Sequence, residues 1–111
     1  MDNISYVNEL NRMLTQSDNL IIPKEIMDAD IYDETKIMFG SLFAEAIQKE
    51  NGKCDSSAIN NMKSQMKVRI NSMSKYEIQA ECCCSESKVS IIRKEVLELI
   101  DTVNFKKCFK E

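Results

Sequence analysis

Apolar residues recur along this chain at intervals of three and four, the spacing that gathers them on one face of an α-helix. From Asn3 to Leu14, the residues Ile4, Val7, Leu10 and Leu14 share one side and leave Glu9 and Arg12 to solvent, which predicts a short amphipathic helix. Pro23 lacks an amide donor and pushes Ile22 out of the α region, so it breaks the pattern within "TQSDNLIIPKE" and suits the first turn of a brief second helix. From Asp33, "DETKIMFGSLFAEAIQKENGK" predicts a longer third helix. Ile37, Met38, Leu42, Ala46 and Ile47 form its broad apolar face with Phe39 and Phe43 beside them. Asp33 and Glu34 suit its N-terminus and Gly52 its end. A fourth helix is expected from about Ser56 to Ser72, with Ile59, Met62, Met66, Ile70 and Met73 on the apolar side and Lys63, Lys67 and Arg69 opposite. The methionine and phenylalanine stripes read as core rather than as a cofactor box.

The pattern is interrupted again at Ser74-Lys75-Tyr76-Glu77, which has the form of a capping box and predicts a new helix start. That helix can run only a few turns before Ser85, a second capping residue, is followed by Val89, Ile92, Val96 and Leu99 at helical spacing. Two helices therefore meet across Cys83 and Cys84. With only two glycines and one proline in 111 residues, hairpin turns are poorly supplied, and the expected fold is all-α: a small bundle of about five to six helices. The length fits one domain, residues 1–111. Within it, residues 1–54 form a helical platform and residues 55–111 the paired-helix region. Apolar residues at 43% and charged residues at 30% are ordinary for a folded globular chain.

Histidine is absent, which removes the commonest general base and the commonest transition-metal ligand, and no convergent acid, base and nucleophile replaces it. No enzymatic activity and no cofactor are expected. The N-terminus lacks a signal-peptide pattern, and no apolar run is long enough to cross a bilayer, so the expected compartment is the cytoplasm, or the host cell interior for a viral protein, with no membrane partner. The five cysteines are then expected as reduced thiols. Metal binding by Cys82, Cys83 and Cys84 is set aside because consecutive helical residues diverge by about 100 degrees and no Cys-x-x-Cys pair exists. Redox sensing by an exposed Cys83 is set aside with it. Net charge is −3 and uneven: residues 1–54 carry 5 basic and 10 acidic side chains, residues 55–111 carry 10 and 8. The C-terminal half is the one suited to approach a polyanion.

The stretch "EIQAECCCSESKVSII" resembles the helix-turn-helix family of DNA-binding proteins, whose common form is "EIAEELGVSRSTVSRI". Glu77 and Ile78 match the Glu-Ile pair, Cys82 the leucine, Cys84 the turn hydrophobe, Ser85 the serine, and Val89 and Ile92 the core positions of the recognition helix. Gln79 replaces the usual alanine at the helix crossing, and Cys83 replaces the usual left-handed glycine, where a β-carbon costs roughly 1 kcal/mol. The resemblance covers residues 74–100 and implies that Cys82 and Cys84 are small buried hydrophobes and Cys83 a turn residue.

It also implies a site. With the second helix of the pair in the major groove, the expected DNA contacts are Glu86, Ser87, Lys88, Ser90, Ile91 and Lys94, with Lys75 and Arg93 on backbone phosphates and Lys63, Lys67 and Arg69 on a flanking strand. The expected function is a small DNA-binding regulator of transcription or an adaptor, contacting duplex DNA through this region. Few cations are available, so a homodimer or a protein partner is expected to engage residues 1–54. The Asn-, Ile- and Lys-rich composition is that of an AT-rich coding sequence and points to a phage or plasmid. The alternative is an all-α module that binds a protein and not DNA, favoured by Gln79, Cys83 and Glu86.

Overall fold

A computed structural model describes residue 26 and residues 28–108. The predicted helix from Asn3 to Leu14 and the start of the one after Pro23 lie outside the described residues, so the helical platform is represented by its last long helix. Among the described residues every regular element is helical. Among the described residues four α-helices of the expected five to six have full ranges, α1 (Asp33–Lys49), α2 (Ser56–Ser72), α3 (Lys75–Cys82) and α4 (Val89–Thr102), and Ile26 is helical as well. Short 3₁₀ turns at Glu86–Lys88 and Phe105–Cys108 precede and follow α4.

The helix ends are set by local chemistry. α2 begins where the Asp55 carboxylate accepts the Ala58 N–H at 2.8 Å, a cap worth about 1 kcal/mol. α1 ends at Lys49, earlier than Gly52, because Asn51 takes the left-handed conformation (φ 56°) and Gly52 follows it at φ 75°. The Gly52 N–H then reaches back to Ile47 O and the Asn51 N–H to Gln48 O, both at 3.1 Å, which satisfies carbonyls the helix leaves open.

One cluster of buried side chains joins all four helices. α1 contributes Met38, Phe39, Leu42, Phe43, Ala46 and Ile47; α2 contributes Ile59, Met62, Met66 and Ile70; α3 contributes Ile78 and Cys82; α4 contributes Val89, Ile92, Val96, Leu99 and Ile100. Each fully buried aliphatic or methionine side chain contributes roughly 1.5–3 kcal/mol. Phe39 and Phe43 lie in the centre rather than beside the apolar face. Phe105, delivered by the turn after α4, stacks on Phe39 at 6.0 Å and meets Phe43 at 5.2 Å between ring centroids. The apolar face of α1 is thus used inside the chain and is not a docking face. On α2 the outward side is Asn60, Asn61, Ser64 and Val68, with Val68 68% exposed, while Lys63, Lys67 and Arg69 are half-buried flanks rather than the opposite face.

Candidate nucleic-acid interface

α3 starts as its sequence predicts: Ser74 Oγ accepts the Glu77 N–H at 3.2 Å, and Glu77 Oε1 accepts the Ser74 N–H at 3.1 Å. The Ser74 amide, with smaller help from Arg69, holds the Glu77 carboxyl below its ordinary value. α3 ends because Cys83 adopts φ 55°, ψ 38°, with its N–H donated to Gln79 O at 2.8 Å. This left-handed residue is the one aligned with glycine. Ser85, expected to cap the next helix, makes no capping bond. Its Oγ pairs with Ser87 Oγ at 3.1 Å, and the chain enters α4 through a 3₁₀ turn instead.

The turn fixes which side chains face out. Val89 and Ile92 are buried and Ile91 is 42% exposed. Glu86, Ser87, Ser90 and Lys94 are exposed with Ile91, and their spacing places the five along one side of the helix that begins at Glu86. Lys75 joins them across the turn, its Nζ donating to Glu86 Oε1 at 2.7 Å. That bond raises the Lys75 pKa and lowers that of Glu86. Tyr76, 70% exposed, lies beside Lys75, whose Nζ is 5.1 Å from the ring centroid. Sequence reading gave Tyr76 no role; its place at the outward start of a capped helix was the available signal.

Two expected contact residues turn elsewhere. Lys88 is half-buried: its Nζ donates to Glu34 Oε2 at 2.9 Å and lies 4.8 Å over the Tyr32 ring. Arg93 Nη1 donates to Ile70 O at 2.6 Å and Met73 O at 3.0 Å, which closes the C-terminal end of α2. The flanking cations are engaged within the chain as well, Lys67 with Asp101 at 2.5 Å, Arg69 with Glu77 at 3.4 Å, and Lys63 over the Phe105 ring at 5.4 Å. Residues 74–102 carry four basic and six acidic side chains.

Cys82 is buried, with its Sγ–H donated to Ile78 O at 3.0 Å. Cys84 is half-buried and Cys83 exposed. Among the described residues no group of three or more His, Cys, Asp or Glu is placed to hold a metal ion, and no helix is long and apolar enough to cross a membrane. No protein-family model matches the chain, and no curated protein or solved structure matches it.

Proposed function

We propose that this protein is a small helix-turn-helix DNA-binding regulator or adaptor, with α4 as the helix that enters the major groove. The observation that carries the reading is the left-handed Cys83 between two packed helices, the first of them capped, which sends Val89 and Ile92 inward while Ser87, Ser90, Ile91 and Lys94 project together. Ser87 and Ser90 suit hydrogen bonds to base edges or phosphates, Ile91 suits a thymine methyl, and Lys94 suits guanine or phosphate. Lys75 is exposed, and its ion pair with Glu86 is screened by solvent and weak, so a phosphate can take the place of Glu86 beside it. Glu86 is then available to accept from a cytosine amine.

The charge supply limits affinity. Each phosphate neutralised contributes about −0.9 to the slope of log affinity against log salt, so two or three cations predict a slope of only about −2 to −3 per copy. Useful binding then needs a second copy or a partner. Fluorescence titration of duplex DNA, including the region beside the protein's own gene, at low and at physiological salt tests this. The expected result is salt-dependent binding, weakened by Lys94→Ala and Lys75→Ala. A folded sample that binds no duplex at low salt overturns it.

A second reading, a module that binds protein, is favoured by one observation: the excess of acidic over basic side chains in residues 74–102, combined with exposed Tyr76 and Ile91. An interface of this kind is carried by aromatic and aliphatic anchors rather than by lysines. Tyr76→Ala and Ile91→Ser would then abolish partner binding while Lys94→Ala leaves it unchanged.

A further inference from the structure

We propose that the cavity between the start of α2 and the turn after α4 is a binding site for a small phosphorylated organic molecule. The inference does not depend on the DNA reading. α4 ends at Thr102, and Val103 leaves it in an extended conformation (φ −73°, ψ 136°). Asn104 Oδ1 then accepts the Lys106 N–H at 3.1 Å, and the Asn104 main-chain carbonyl accepts the Lys107 N–H at 3.1 Å. The tight turn so formed sends Phe105 into the core and leaves Lys106 exposed. Between this turn and the first turns of α2 lies an open cavity of about 220 Å³. Buried Ile59 and Phe105 and half-buried Val103 supply its apolar part.

The polar part consists of donors. Lys63 and Lys106 line the cavity, and no aspartate or glutamate does. Among the described residues Lys67, Arg69, Lys75 and Lys88 each pair with a carboxylate, whereas neither Lys63 nor Lys106 does. Lys63 Nζ instead lies over the Phe105 ring, 5.4 Å from its centroid, a contact that positions the ammonium without neutralising it. Asn104 uses its side-chain oxygen on the Lys106 N–H, which leaves its amide hydrogens to donate, and Asn60 and Ser56 add a second amide and a hydroxyl. Asp55, next to Ser56, is engaged as the cap of α2 by the Ala58 N–H. Two cations match a phosphate monoester, which carries about −1.5 to −2 charge at neutral pH and accepts through three strong oxygens. Donors arriving from two separate elements suit that tetrahedral group better than a planar carboxylate. The apolar part suits an organic stem, and the volume lies below the roughly 300–1,000 Å³ of sites for drug-sized ligands, so the stem is short. A backbone phosphate of DNA fits less well: α4 spans 14 residues, its ends lie about 20 Å apart, and the side chains proposed to face DNA gather toward its start.

The test is titration of the folded, full-length protein with phenyl phosphate, inorganic phosphate and phenol at constant ionic strength, followed by amide chemical shifts. Phenyl phosphate should give saturable shifts confined to the start of α2 and to the turn at Asn104–Lys106, inorganic phosphate the same shifts at higher concentration, and phenol none. Lys106→Gln should weaken phenyl phosphate about tenfold, the factor that corresponds to the loss of one charged contact. Lys106 is exposed, and its N–H is retained in this variant, so the turn persists. Lys94→Gln should leave the affinity unchanged, and added duplex DNA should not displace the ligand. Shifts that fail to saturate or that spread evenly over the surface lysines overturn the proposal, as does wild-type affinity in Lys106→Gln. Displacement by duplex overturns the small-molecule assignment and makes the site one for backbone phosphate.

Discussion

Lys88 Nζ donates to Glu34 Oε2 at 2.9 Å, joining the entry of α4 to the first turn of α1 across 54 residues of sequence. The Tyr32 ring lies under the same ammonium group. Lys88 therefore has a task in the folded chain whether or not a ligand is present, and any effect of a variant here on binding is to be read against its effect on stability.

The comparison of Lys88 with its neighbour separates the two effects. Val89→Ala should destabilise the protein by roughly 1–3 kcal/mol through lost burial and a small cavity. Lys88→Ala should cost clearly less than Val89→Ala, because the ion pair it removes is screened by solvent. Urea denaturation of both variants checks the order. A silent Val89→Ala beside an unfolded Lys88→Ala would mean that the helix is rotated from the described orientation.

Arg93 should behave as a structural residue. Its guanidinium satisfies two main-chain carbonyls at the end of α2, and hydrogen bonds from a charged donor are worth roughly 1.5–3 kcal/mol. Arg93→Ala should lower stability by about that amount, and any loss of DNA affinity should be recovered at a temperature where the variant is fully folded. Affinity that stays low in the folded variant would assign Arg93 a direct contact.

Cys83→Gly tests the turn. A β-carbon in the left-handed region costs roughly 1 kcal/mol, partly offset by the greater freedom glycine gives the unfolded chain. The variant should be more stable by up to about 1 kcal/mol, whereas Cys83→Ala should gain nothing, since it keeps the β-carbon. A lower thermal midpoint for Cys83→Gly would show that the cysteine side chain holds the turn.

Stability should fall at both ends of the pH scale. The Glu34 carboxyl, hydrogen-bonded by Lys88, lies below its ordinary 4.5 in the folded state. Its contribution is therefore present above 4.5 and is lost as pH drops through the folded value. Lys88, bonded by Glu34, lies above its ordinary 10.5, so its contribution is present below 10.5 and is lost as pH rises through the folded value. Glu34→Gln should flatten both limbs in denaturation midpoints measured across pH. Limbs that stay parallel to wild type would show that this pair adds nothing to stability.

The sequence by itself determined what depends on neighbours a few residues apart. The bounds of α2, the Ser74–Glu77 capping box, the turn at Cys83 and the inward set Val89, Ile92, Val96 and Leu99 all follow from local hydrogen bonding and helical spacing. Tertiary structure decided the rest, because partners distant in sequence leave no periodic trace. Spacing alone showed Lys88 and Arg93 as exposed cations, and only the packing of α1 and α2 against α4 brought Glu34 to one and the carbonyls of Ile70 and Met73 to the other. Phe105 belongs to no amphipathic pattern and reaches the core only because the turn after α4 lies over Phe39 and Phe43. The proposed site keeps Lys75, Glu86, Ser87, Ser90 and Lys94 outward for the same reason, since a charged or polar side chain stays on the surface when no partner packs against it, and the fold leaves the apolar Ile91 42% exposed on the same side.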